Sequence, residues 1–118
     1  MERYKFPRTP HFEWSPGYSG DDIRLADISN FEKMREVVVS EKMDGECTTC
    51  YSDGYLHARS MDGTSHLSRN WVKSFMASRY QDIPNGWRLC GENVYGIHSI
   101  EYEELSTFFF LFSVIGRC

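Results

Sequence analysis

Hydrophobic and polar positions alternate along this chain in short, unequal runs, and they predict strands more often than helices. Val37, Val38 and Val39 form a β-branched run, for which a buried strand ending near Lys42 is expected. Residues 46–59 alternate on either side of Asp53 and Gly54, the strongest local signal for a two-residue hairpin turn. Met61, Asp62 and Gly63 predict a further strand-ending turn. Residues 88–95 read as a strand broken by Gly91 and closed by Gly96, and residues 108–115 are a nearly continuous apolar run of strand length.

Helical periodicity is clearest from Ser68 to about Tyr80, where Trp71, Phe75 and Met76 share a face while Arg69, Lys73 and Arg79 turn to water. Ser29 and Glu32 have the spacing of a capping box, opening a short helix with Phe31 and Met34 on its apolar side. Residues 101–105 read as a short acidic helix or a turn. Before these, Pro7, Pro10, Pro16, Gly17 and Gly20 mark an irregular arm with Phe12, Trp14 and Tyr18 as aromatic anchors. Strands dominate and helices sit between antiparallel hairpins, so the expected class is α+β in one domain spanning 1–118, without Rossmann-type alternation.

Composition narrows this picture. The chain has 118 residues, 41% hydrophobic and 15% aromatic, enough for one packed core and too apolar for a solvated coil. No segment supplies the roughly 18 uncharged apolar residues a membrane span requires. The N-terminal MERYKFPRTP mixes charges and prolines with no apolar signal core, so a cytoplasmic setting is expected. A net charge of −4 removes the bulk electrostatic argument for nucleic acid, although a local basic groove stays open. In a reducing compartment the cysteines at 47, 50, 90 and 118 would not form a disulfide framework. Cys47 and Cys50 have the spacing of half a zinc site or a redox pair. No second pair follows, however, and residues three apart on a strand point to opposite faces, so small buried or half-buried thiols are expected.

The candidate chemistry begins at Glu41-Lys42-Met43-Asp44-Gly45-Glu46. A lysine between an apolar strand and a turn glycine would project into the pocket that the sheet forms, partly desolvated, and a neutral amine there is a nucleophile. A surface lysine paired with Asp44 or Glu46 is the competing reading. Further elements follow in order: Arg59-Ser60 after the hairpin, Gly91-Glu92-Asn93-Val94-Tyr95-Gly96 after the helix, and the aromatic run from Phe108 to Val114.

Taken together these segments resemble the collinear motifs of the covalent nucleotidyltransferases, the superfamily of ATP-dependent DNA and RNA ligases and mRNA capping enzymes, and most closely the ATP-dependent RNA ligases. EKMDGE looks like the nucleotidyl-lysine motif, HARS like the motif after it, CGENVYG like the third and FFFLFSV like the aromatic strand that follows. PRTPH, SRNWVK and HSIEYEEL also look like the flanking stretches of one bacterial and phage branch. The resemblance implies that residues 1–118 are the N-terminal portion of an antiparallel-sheet-rich nucleotidyltransferase adenylation domain of the ATP-grasp-like kind, incomplete at its C-terminal side. It implies that Lys42 takes AMP from ATP with Mg²⁺ present, passes it to an RNA 5′-phosphate and allows sealing to a 3′-hydroxyl.

On that likeness Glu41 contacts adenine through its backbone, and Arg59 serves the ribose or phosphate side with its planar fork. Glu92 takes the ribose hydroxyls or a metal-bound water, which makes it the metal candidate. Asp44 orients the lysine or the metal, Gly45 frees the turn, and Phe112 stacks on the adenine ring. Phe108, Phe109 and Phe110 read as core or interface, and His57 and His66 as structural. Cys47 departs from the pattern, standing where related ligases carry asparagine or arginine, and a thiol is a weak donor. No lysine follows Lys73, so the phosphate-gripping fifth motif of such enzymes has no counterpart, and weak or no activity of the chain alone is expected. The alternative is a non-catalytic nucleotide- or RNA-binding module of the same fold. A Phe-rich edge strand would also favour self-association, and a zinc or thiol protein is the remaining reading.

Overall fold

The computed structural model describes residues 2–17, 19–20, 22–61, 66–96 and 99–117. The expected turn at Met61, Asp62 and Gly63, the anchor Tyr18 and the thiol of Cys118 lie wholly or partly outside them. The chain forms two compact units, residues 7–41 and residues 1–6 with 42–118.

In the 7–41 unit, β1 (His11–Phe12) and β2 (Arg24–Leu25) make a short parallel pair, followed by α1 (Ser29–Glu32). The aromatic anchors pack on one another, with Phe12 stacked on Trp14 at 4.8 Å and meeting Phe31 edge-on at 5.7 Å. Ser29 does not cap α1. It is the first helical residue; the N-cap position is Ile28, which has no side-chain cap to offer, and the Ser29 N–H and hydroxyl donate to the Asp27 carboxylate at 2.9 and 3.0 Å, which satisfies one free helix-end N–H. Phe31 and Met34 are exposed. The expected strand at Val37–Lys42 is not formed: Val38 and Val39 are 95% and 91% exposed and the segment joins neither sheet. β-branched residues favour a strand only where a neighbouring strand and a buried face are available, and no strand of either sheet pairs with this segment.

The larger unit is built on one antiparallel sheet of order β4-β3-β5-β6, comprising β3 (Glu46–Tyr51), β4 (Leu56–His57), β5 (Arg88–Asn93) and β6 (Phe109–Ile115). With its short helices this is the α+β class. The hairpin lies where Asp53 and Gly54 place it, but its connection has three residues. Gly54 N–H donates to Tyr51 O, Tyr51 N–H donates to Tyr55 O, and Gly54 has φ +85°, a type I turn closed by a left-handed glycine.

Strand alternation separates two faces. Cys50, Leu56 and Phe109 face the core with Val72, Met76 and Ile83, and Trp71, Phe75, Tyr80 and Leu89 pack around them. Burying such side chains contributes about 1.5–3 kcal/mol each. Val72 and Met76 belong to α2 (Asn70–Met76), which is shorter than expected because 3₁₀ turns at Leu67–Arg69 and Tyr80–Asp82 flank it. Arg69 does not face water: its Nε and Nη2 grip both oxygens of Glu46 at 2.7 and 3.2 Å. His66 closes the first 3₁₀ turn by accepting from Ser68 N–H. Residues 101–105 are irregular, with a single bend at Glu103, and form no helix.

β6 lies at one edge of the sheet, with Leu111 and Val114 half exposed, the strand for which pairing with a second copy is expected. Its register against β5 slips by one between Cys90 and Gly91, leaving Phe112 opposite no residue. Gly91 is required at that point, because a Cβ there would stand 2.5 Å from the Phe109 ring and 2.7 Å from the Phe110 carbonyl oxygen. Among the described residues no helix is long and apolar enough to cross a membrane.

Burial pushes the Cys50 thiol up to about 12, with Cys90 adding to the effect, and raises Cys90 as well. Thiols held neutral by the fold ionise more easily once unfolded. Their stabilising contribution is therefore complete below the ordinary thiol range and falls as pH rises through it toward 12. Urea titrations between pH 7 and 10.5 should show stability declining above about pH 9, with a shallower decline in Cys50→Ala. Parallel pH profiles for the two proteins would contradict this.

Candidate functional site

The face of the sheet opposite the core carries Cys47, Thr49 and Tyr51 on β3, His57 on β4, and Arg88, Cys90 and Glu92 on β5. Cys47 pairs with Glu92 and Glu46 with Asn93, so the end of β3 that the EKMDGE segment enters lies beside the GEN segment of β5. The two segments are bonded directly, since the Gly45 N–H donates to Glu92 Oε1 at 3.1 Å. Asn93 fastens the same end: its amide donates to Ser68 O at 3.0 Å and its Oδ1 accepts from Tyr95 N–H at 3.1 Å.

Gly45 owes its place to close packing. Its φ is not positive, and a Cβ there would collide with the Asn93 carbonyl oxygen. The expected backbone freedom is therefore not what the turn uses. Asp44 is turned into the 99–100 loop, where its Oδ2 accepts from Ser99 N–H and Oγ at 2.9 and 2.5 Å and from Ile100 N–H at 3.1 Å, while its own N–H donates to the Tyr102 hydroxyl at 2.7 Å.

Lys42 is exposed on an irregular segment leading into this turn, so the desolvation expected from a strand end is not present. Glu41 belongs to the other unit. Glu92 is 9% exposed and Arg59, just beyond β4, is exposed. The surroundings of Cys47 bring the charges together. Its thiol is pushed up to about 11 by burial first and then by Glu92 and Cys90, while Lys42 and Arg59 pull it down. Lys42, Arg59 and Glu92 thus all act on one half-buried thiol, two exposed cations that favour its charged form and a buried carboxylate that opposes it.

Phe112, at the β6 bulge, is 49% exposed, and Phe110 pairs with Glu92. A bulge re-aims a side chain, which is how an aromatic ring reaches solvent from a strand. Residues 2–6, within the stretch expected as an irregular arm, carry contacts that this expectation does not include. Phe6 meets the Phe112 ring edge-on at 5.0 Å, and Tyr4 bonds to Tyr51. The alternation of Tyr4 and Phe6 was the available signal. A cleft of about 360 Å³ between the β3–β4 hairpin and α2, with Tyr55, Lys73 and Tyr80 in its walls, includes none of the candidate residues.

A single buried hard carboxylate is a fair partner for Mg²⁺ arriving with nucleotide phosphates, because that ion keeps most of its waters and takes one or two carboxylates. Among the described residues no three His, Cys, Asp or Glu side chains gather as an all-protein metal cage. A family model described as RNA ligase matches residues 35–117. No curated protein and no solved structure is matched.

Two outcomes test this geometry. Gly45→Ala should lose stability by more than about 1 kcal/mol in urea titration, because the added Cβ must push Asn93 away; an unchanged midpoint would refute the close packing. Iodoacetamide should modify Cys47 roughly 100-fold more slowly at pH 8 in the folded chain than in urea, as mapped by peptide mass spectrometry. Equal rates would show the thiol to be neither desolvated nor faced by Glu92.

Proposed function

Starting from the membership of this chain in the RNA ligase family, we propose that it binds ATP on the face carrying Cys47 and Glu92 and forms a covalent lysyl-AMP at Lys42. The observation that carries the reading is the Gly45 N–H to Glu92 bond, which joins the nucleophile segment to the third-motif segment. The fold proposed is the nucleotidyltransferase adenylation domain, of which the four-stranded antiparallel sheet is one part.

In this reading the Lys42 amine attacks the α-phosphorus. The N–P bond forms as the bond to the pyrophosphate oxygen breaks, pyrophosphate leaves and the amine gives up a proton. Such displacement depends on position and charge neutralisation more than on acid–base chemistry. Arg59 meets phosphate or ribose oxygens, the Glu92 carboxylate receives the ribose hydroxyls, and Phe112 stacks on the base. Glu41 serves adenine through its backbone. Asp44 acts by anchoring the lysine segment to the 99–100 loop, and Gly45 by letting that segment lie against β5. When bound, Mg²⁺ would be held by Glu92 and would supply charge neutralisation at the phosphates. The AMP then passes to an RNA 5′-phosphate, and a 3′-hydroxyl displaces it to seal the break.

Cys47 favours a second reading. A weakly donating thiol where relatives carry asparagine or arginine would suit a module that binds nucleotide or RNA without chemistry. One assay separates the two. With Mg²⁺ and α-labelled ATP, the wild type should acquire an acid-labile, alkali-stable label, Lys42→Ala none, and Glu92→Ala at least about 100-fold less. ATP binding without label would support the second reading, and a label that persists in Lys42→Ala would refute the first. GTP and NAD⁺ run alongside should label poorly if the pocket selects ATP.

A further inference from the structure

Residues 2–6 form a strap on the face of the sheet that carries the candidate site. Arg3 is held by Asp53 through two hydrogen bonds of 3.2 and 2.6 Å, and its guanidinium lies over the rings of Tyr51 and Tyr55 at 4.5 and 4.1 Å. The Tyr4 N–H donates to the Tyr51 hydroxyl at 2.9 Å, and that hydroxyl donates to His57 Nε2 at 2.8 Å, whose Nδ1–H is committed to Ala58 O. Arg88 of β5 lies over the Tyr4 ring at 4.9 Å. The strap is thus fixed at Arg3 and Tyr4 to β3, to β5 and to the β3–β4 hairpin, and it ends at Phe6, against Phe112.

Phe112 sits at the β6 bulge with no cross-strand partner on β5 to hold its ring, and half of it is exposed. An exposed side chain without a cross-strand partner samples several rotamers, and a ligand that stacks on it must pay for ordering it. Phe6 meets the ring at 5.0 Å and an interplanar angle of 75°, an edge-to-face arrangement that leaves a π-face open. We infer that Phe6 is a positioning residue for base recognition: held by the Arg3 and Tyr4 anchors, it orders Phe112 so that the ring's open face receives the purine. The inference rests on the reading of Phe112 as the stacking residue.

The test measures binding of Mg–ATP and of Mg–tripolyphosphate, which has no base to stack, to the full chain and to Phe112→Ala, Phe6→Ala, Phe6→Leu, Phe6→Tyr and the Phe6→Ala/Phe112→Ala double variant. Phe112→Ala should weaken ATP roughly tenfold or more. Phe6→Ala and Phe6→Leu should weaken it roughly three- to tenfold, Phe6→Tyr should restore it, and the double variant should be no weaker than Phe112→Ala. Tripolyphosphate affinity should not change. ATP affinity of Phe6→Ala and Phe6→Leu equal to wild type, with Phe112→Ala weakened, would overturn the inference and leave the nucleotide site standing. Equal loss of ATP and tripolyphosphate would overturn it too, since a merely structural role moves both. If Phe112→Ala itself binds ATP like wild type, the stacking reading falls and the inference with it. If Phe6→Ala does not fold, Phe6→Leu carries the comparison.

Discussion

Everything proposed for this chain depends on how β3 and β5 are paired at one end. The register sets Cys47 opposite Glu92 and Glu46 opposite Asn93, and the Gly45 N–H, one residue before the strand begins, donates to the Glu92 carboxylate at 3.1 Å. A shift of one residue would send Glu92 to the core face and the site would have no carboxylate. Three contacts hold that register at its open end: the two hydrogen bonds from Arg69 to Glu46, the Asn93 amide on Ser68 O, and the glycine that alone can lie against the Asn93 carbonyl. Two come from the 3₁₀ turn before α2, so the core face of the sheet fixes what the other face presents.

The division of labour between the two faces explains the polar groups that are buried. Thr49, His57, Glu92 and Cys90 are buried on the face away from α2. Buried polar groups must be hydrogen-bonded, and here the partners are local: Tyr51 with His57, Thr49 with Cys90, Gly45 with Glu92. The cations are arranged differently. Lys42 and Arg59 remain at the surface, where a long side chain keeps its hydration until a ligand displaces it. The carboxylate is thus fixed within the sheet while the two cations stand exposed.

Much of the sheet was legible in the sequence because it follows period-two alternation. The hairpin at Asp53 and Gly54, the strand through Gly91 and the last apolar strand are present, although β5 runs unbroken through Gly91 and the irregularity falls on β6 at Phe112. The misreadings share one cause, in that tertiary partners override local preference. Val37 to Val39 have strand propensity and no strand beside them. Helical spacing turns Arg69 to water, and instead it meets Glu46 twenty-three residues earlier. Ser29 has a capping-box spacing, but Asp27 offers a carboxylate to its N–H first. Of the candidate residues, Gly45 and Glu92 are joined by a hydrogen bond that the spacing of their segments did not indicate. Asp44 is engaged by the 99–100 loop, a long-range partner no local pattern could indicate. The strap of residues 2–6 was hidden by its position, because an N-terminal segment with charges on both sides of two aromatics reads locally as an unpacked arm.

The central claim is that Glu92 ties the Lys42-bearing segment before β3 to β5, and amide hydrogen exchange tests it most directly. In the wild type the Gly45 amide should exchange slowly although it lies outside β3. In Glu92→Ala it should exchange at least about tenfold faster, while the Thr48 and Thr49 amides inside the sheet keep their protection. If Gly45 exchanges equally fast in both proteins, the bond is not formed and the account of the site is wrong.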